Sequence, residues 1–164
     1  MTLSQKLCEA SYKRDIEECS ALLIQGAEID CYSEMYDSPL ANACGWGYIE
    51  LINLFLNAGA SVNYGGEYNF TPLWVASGEK LVHISKILIE KGADIDSQDD
   101  VWHDTPLMRA VKSGDLEMCR LLIKNGSDID SENEYNYTAL DIAEEMGHMA
   151  IVNLIKNISV RDKI

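Results

Sequence analysis

Thr71-Pro72-Leu73-Trp74-Val75-Ala76 and Thr105-Pro106-Leu107-Met108-Arg109-Ala110 are one pattern written twice. In each, the threonine hydroxyl can accept from an orphan N–H at the start of a helix, and the proline suits the first turn. Leucine and alanine three apart then share one helix face. Working outward, Ser38-Pro39-Leu40-Ala41-Asn42-Ala43 repeats the pattern upstream, and Thr138-Ala139-Leu140-Asp141-Ile142-Ala143 repeats it downstream without the proline. Leu7, Leu40, Leu73, Leu107 and Leu140 keep steps of 33, 33, 34 and 33, and Ala10, Ala43, Ala76, Ala110 and Ala143 follow them. Gly26, Gly59, Gly92 and Gly126 mark the same period. A fixed period of this length is the signature of stacked supersecondary units.

Each unit reads alike. After the first helix a break falls at Gly47, Gly114 or Gly147. A second helix follows with apolar residues at helical spacing, such as Leu116, Cys119, Leu121, Leu122 and Ile123. Gly92 or Gly126 ends it, as a residue able to turn left-handed. A short β-like stretch, Ala93-Asp94-Ile95-Asp96 or Ser127-Asp128-Ile129-Asp130, leads to a polar, aromatic turn. The expected fold is all-α with short β-hairpin turns: a solenoid of five helix-turn-helix repeats in one domain, 1–164, with repeats near 1–32, 33–65, 66–98, 99–132 and 133–164. One unit cannot bury its own apolar face, so the core is expected to run as a slab through the stack. The ends should act as caps. Lys6, Glu9, Lys13, Arg14, Glu17 and Glu18 crowd the first unit, and Asn157-Ile158-Ser159-Val160 closes the last without a glycine.

These residues resemble the ankyrin repeat family over essentially the whole chain. The family pattern Thr-Pro-Leu-His-x-Ala stands at 71–76 and 105–110, with weaker forms at 38–43 and 138–143. The ending Leu-Leu-x-x-Gly-Ala-Asp is similar to Leu22-Leu23-Ile24-Gln25-Gly26-Ala27-Glu28 and to Leu88-Ile89-Glu90-Lys91-Gly92-Ala93-Asp94. One departure matters. The motif histidine is replaced by Ala41, Trp74, Met108 and Asp141, which removes the ground for expecting its usual hydrogen bond to the neighbouring turn. The resemblance implies protein partners gripped by hairpin tips and first helices on a concave face.

Charge narrows the function classes. The 164 residues carry 13 Lys and Arg against 27 Asp and Glu, a formal net charge of −14 with an isoelectric point near 4.4. Such a field repels phosphate backbones and anionic bilayers, so neither nucleic acid nor membrane is an expected partner. No apolar run approaches the ~20 residues that span a bilayer. Met1–Ala10 shows no charged-then-apolar leader, so a cytoplasmic location is expected. Cys8, Cys19, Cys31, Cys44 and Cys119 form no CxxC pair and read as reduced thiols. Cys19 and Cys119 share a repeat position and read as core fillers.

Catalytic chemistry finds little support. His148 follows Gly147 at a structural repeat position, and His83 falls on a polar helix side. Neither has a nucleophile in register. Asp99, Asp100, His103 and Asp104 offer a metal-binding or enzymatic alternative, but their spacing matches no EF-hand loop. They lie in the stretch whose extra residue makes one period 34. The chain therefore reads as a non-enzyme without a cofactor.

The turns carry the informative signal. Residues 31–37, 64–70, 97–104 and 131–137 hold 8 of the 13 aromatics and 8 acidic residues, yet no Lys or Arg. Register places Met35, Tyr68, Trp102 and Tyr135 in one row. Asp37, Phe70, Asp104 and Tyr137 form a second, and Glu34, Glu67, Val101 and Glu134 a third. Trp46, Trp74 and Arg109 on first helices extend the strip. Tyr32 and Tyr64 are the tip aromatics most expected to pack between neighbouring hairpins. Exposed Tyr and Trp on loops suit an interface. The expectation is a protein-binding module, monomeric when free, that clamps and occludes a basic partner. By analogy with small acidic ankyrin-like proteins, that partner would be a toxin or an enzyme it inhibits, as for an immunity protein. The alternative is an adaptor joining two proteins.

Overall fold

The computed structural model describes residues 1–33 and 37–161, and within them ten α-helices form five consecutive pairs. They are α1 (Leu3–Lys13) with α2 (Ile16–Ile24), α3 (Pro39–Gly45) with α4 (Ile49–Asn57), α5 (Pro72–Gly78) with α6 (Val82–Glu90), α7 (Pro106–Ser113) with α8 (Leu116–Lys124), and α9 (Ala139–Glu145) with α10 (Met149–Arg161). The first helices α1, α3, α5, α7 and α9 pack in chain order into one row. Behind them α2 meets α4, and α8 meets both α6 and α10.

The hydroxyl caps form where the repeat pattern places them. Ser38 Oγ accepts from the Ala41 N–H at 3.2 Å, and Thr71, Thr105 and Thr138 accept from Trp74, Met108 and Asp141, each at 3.3 Å. At Thr138, where proline is missing, the Asp141 carboxylate accepts the Thr138 N–H at 2.8 Å and completes a capping box. Bonds from the Thr138 hydroxyl and N–H hold the Asp141 carboxyl below its ordinary value.

Leu7, Leu40, Leu73 and Leu107 are buried, as are Ala43, Ala76, Ala110 and Ala143 on the same faces. With Phe55, Leu88, Leu122 and Ile151 they form one apolar cluster running from the first pair to the last. Each large aliphatic side chain removed from water this way contributes roughly 1.5–3 kcal/mol. All five cysteines are free and buried. Burial, reinforced by nearby carboxylates, pushes the Cys19 and Cys119 thiols up to about 12, which keeps them unreactive. His148 lies against Gly114, where an added Cβ would meet its ring at 3.0 Å.

Two expectations change. The β-like stretches form turns, and no strand occurs among the described residues between the helices. They are stitched by side chains in register instead. Asp30 Oδ1 accepts the Ser61 N–H at 3.0 Å, Asn63 Oδ1 the Asp94 N–H at 2.8 Å, and Asp96 Oδ1 the Asp128 N–H at 3.0 Å. These acceptors recur once per repeat, so part of the acidic character serves to join neighbours. The second change concerns the lost motif histidine. Trp74 Nε1 donates to the Asp104 carbonyl oxygen at 3.0 Å and supplies the bond to the next turn.

Candidate functional site

The tips bring equivalent residues side by side, and backbone bonds set their register. The Asp100 N–H donates to the Tyr68 carbonyl oxygen and the Glu134 N–H to the Trp102 carbonyl oxygen, both at 3.0 Å. Tyr68, Trp102 and Tyr135 therefore follow one another along one edge. The three tips at 64–70, 97–104 and 131–137 each contain a left-handed residue, Asn69, His103 and Asn136, with φ of 53°, 54° and 59°. Asparagine and histidine tolerate that region better than most side chains.

Different chemistry fixes each of these three tips. Asp99 turns inward, and its carboxylate accepts the N–H groups of Val101, Trp102 and Asp104 at 2.8, 2.7 and 2.9 Å. Asn133, its counterpart in the next tip, accepts from Tyr135 and Tyr137 at 3.0 and 3.1 Å. In the earlier tip Gly65 stands six residues before Thr71, as Asp99 does before Thr105, and a Cβ there would come within 2.4 Å of the Asn69 backbone. A single 3-10 turn, Gly66–Tyr68, closes that tip without a side-chain clamp.

The fifteen residues expected to form the strip divide by burial. Trp46, Tyr68, Trp102, Tyr135 and Tyr137 keep large exposed rings, from 38% at Trp102 to 62% at Tyr135. Glu67 and Glu134 are exposed beside them, and Val101 is half-buried. A hydrogen bond with Glu134 holds the Tyr135 phenol above its ordinary value. Glu34 and Met35 lie outside the described residues.

Two members of the strip are placed inward. Asp104 is fully buried: it ion-pairs with Lys112, and its Oδ1 accepts from Asn133 Nδ2 at 3.1 Å. Its charge is used inside the fold, so it does not join an exposed acidic row. Trp74 is only 6% exposed, because neighbours stack against its ring. Phe70 stacks on it with centroids 4.5 Å apart, Trp102 runs parallel at 6.4 Å, and the Arg109 guanidinium lies 4.1 Å over it. The result is one connected cluster of planar groups that joins Arg109, Trp74 and Phe70 to the exposed Trp102 edge. Trp102 is thus both a surface ring and an anchored one.

Asp37 is half-buried, and burial pushes its carboxyl up. Its backbone carbonyl accepts from Asn42 Nδ2 at 3.0 Å. Tyr32 is 45% exposed, yet its base lies against the next tip, where a Cβ on Gly66 would meet Tyr32 Cβ at 3.2 Å, and Tyr64 is half-buried. Asp99, Asp100, His103 and Asp104 do not converge. Among the described residues no group of three His, Cys, Asp or Glu is placed to hold a metal ion.

Tyr12 was missed by the sequence reading. Its ring meets Trp46 edge-on at 5.7 Å, and the Arg14 guanidinium lies 5.2 Å over Trp46. Tyr12 and Trp46 border an open cavity of about 360 Å³ with Asp37, Gly45, Val75 and Glu79. No motif flags it, since it lies between two repeats.

A one-row stack of capped helix pairs with aligned tips defines an extended solenoid with a built surface. The comparisons agree. A family model described as ankyrin repeats (3 copies) matches residues 7–99 and 83–163. This chain belongs to the ankyrin repeat family, a family of protein–protein interaction modules. It is 32% identical over 114 residues to an ankyrin repeat and KH domain-containing protein of Caenorhabditis briggsae, covering 67% of this chain and 4% of that protein. The ankyrin repeat protein nuc-2 of Neurospora crassa is 28% identical over 91% of this chain and 14% of its own length. An ankyrin repeat protein of Acanthamoeba polyphaga mimivirus is 32% identical over 70% of this chain and 76% of its own. The chain thus spans only a small part of the first two relatives and most of the third. No helix among the described residues is long and apolar enough to cross a membrane.

Proposed function

We propose that the chain binds a partner protein along its row of hairpin tips, with Tyr68, Trp102, Tyr135 and Tyr137 as anchors and Glu67 and Glu134 as flanking charge. The observation that carries this reading is Trp102. Its ring is stacked on Phe70 at 6.0 Å and still 38% exposed. A ring already ordered loses little freedom on binding, and such rings concentrate interface energy. The net charge of −14 favours a basic partner and steers its approach. Held over a partner's working surface, the module occludes it, so the finer reading is an inhibitor or immunity protein.

The test is co-purification from the native cell, comparing wild type with the Trp102→Ala/Tyr135→Ala double variant. A basic protein retained by the wild type should bind the variant more weakly by about 2 kcal/mol or more, while helical circular dichroism stays unchanged. Undiminished affinity would mean the tips are not the interface. Association should also slow as salt rises, because exposed charges are screened. A salt-independent on-rate would remove the steering. Inhibition is read by adding the chain to the purified partner and following that partner's own activity.

A further inference from the structure

We infer that the cavity between α3 and α5, bordered by Tyr12, Asp37, Trp46 and Glu79, receives an arginine side chain of the partner protein. The chain carries its own precedent for this occupant. Phe70, Trp74, Gly78 and Arg109 form a filled site one repeat further along. There Gly78 leaves room for the guanidinium of Arg109: a Cβ on Gly78 would come within 2.8 Å of an Arg109 terminal nitrogen. The guanidinium lies over Trp74, and Phe70 stacks on the same indole.

The matching positions one repeat earlier are Asp37, Ala41, Gly45 and Val75. The glycine is kept, but the tryptophan has become alanine and the arginine valine. What remains is the cavity of about 360 Å³, bordered by Ala41, Gly45 and Val75 among others. That is more than ten times the ~30 Å³ share of one water molecule. Among the described residues the cavity lacks the filling its neighbour has, and the chemistry of its lining is inverted.

Phe70 is replaced by Asp37, a half-buried carboxylate without a hydrogen-bond or ion-pair partner among the described residues. Glu79 adds a second negative charge, and among the described residues no cationic side chain lines the space. Trp46 offers the ring that Trp74 offers next door. It already carries one guanidinium, that of Arg14, at 5.2 Å. A planar guanidinium can pair bidentately with a carboxylate while stacking on an aromatic face, which a lysine ammonium cannot do. Burial holds the Asp37 carboxyl above its ordinary value, in keeping with a carboxylate that no described residue pairs.

This inference deepens the protein-binding reading and rests on it, but its test needs no partner. The ¹⁵N-labelled full chain is titrated with N-acetyl-arginine methylamide while the Trp46 indole N–H resonance is followed, assigned with Trp46→Phe. A saturable shift at Trp46 is expected, with no saturable response to the neutral isostere N-acetyl-citrulline methylamide. Asp37→Asn should weaken binding about tenfold or more, the loss of a charge-assisted pair. Val75→Arg should abolish it, because the chain then supplies its own guanidinium. Absence of a saturable Trp46 shift, an equal response to citrulline, or unchanged affinity in Asp37→Asn would overturn the assignment. If Val75→Arg fails to fold, Asp37→Asn decides alone. Failure here leaves the tip row untouched, whereas undiminished partner capture by the tip variant leaves this cavity untouched.

Discussion

The junction between the second and third helix pairs and the junction between the third and fourth use matched positions to opposite ends. At the later junction Phe70, Trp74 and Arg109 stack on one another, and Trp74 Nε1 bonds the next turn. Asp104 and Lys112 close their charges together nearby. At the earlier junction Ala41 and Val75 stand where the ring and guanidinium would be, and Asp37 stands without a partner among the described residues. One backbone plan thus yields a filled joint, in which Arg109 Nε is buried without a hydrogen-bond partner among the described residues, and an open, negatively charged one. In a repeat stack the fold is carried by the recurring leucines, alanines and caps. The residues between them are free to serve cohesion at one joint and recognition at the next.

The widest gap between the joints should appear on removing a ring. Trp74→Ala deletes a nearly buried indole, its stack and its bond to Asp104, and should cost about 3–5 kcal/mol in urea denaturation. Trp46→Ala, half-exposed beside the open cavity, should cost far less. Equal losses would erase the distinction between a filled and an open joint. Next comes Asp104→Ala, which leaves Asn133 Nδ2 without its acceptor and Lys112 without its pair. About 2 kcal/mol should be lost, since Lys112 is one-third exposed and stays partly hydrated. Partner affinity per folded molecule should not change. A large affinity loss at full stability would return Asp104 to the binding surface.

The smallest effect has the opposite sign. Burial raises the Asp37 carboxyl in the folded chain, so its charged form opposes folding. Any stability gained from its neutral form is fully present below the unfolded carboxylate value near 3.8 and is lost as pH rises through the higher folded one. Asp37→Asn should therefore stabilise the fold at pH 7 slightly, by less than about 1 kcal/mol after solvent screening, read by urea denaturation. The gain should vanish in acid. A destabilised Asp37→Asn would show that the carboxylate is satisfied in the free protein.

The legibility of this molecule divides along the same line. Period, caps and core were readable because each depends on a local rule repeated along the chain: a hydroxyl before the helix, leucine and alanine on one face, glycine at its end. The exposed tip aromatics were readable for the same reason, since register aligns Tyr68, Trp102 and Tyr135. Asp104 and Trp74 were misplaced because burial depends on what stands one repeat away. Asn133 and Lys112 claim the carboxylate, and Phe70 and Arg109 cover the indole. The Asp30, Asn63 and Asp96 ladder left a periodic trace, but acidic periodicity alone does not distinguish a binding row from a stitch.

Spacing alone determined that this chain stacks as helix pairs, because an apolar face that recurs once in every repeat has no other way to leave water. Which aromatic is buried, which carboxylate is paired and where a cavity opens were decided only in three dimensions. Those outcomes depend on side chains from successive units meeting across a joint, and a gap such as the one beside Gly45 belongs to no single stretch of chain.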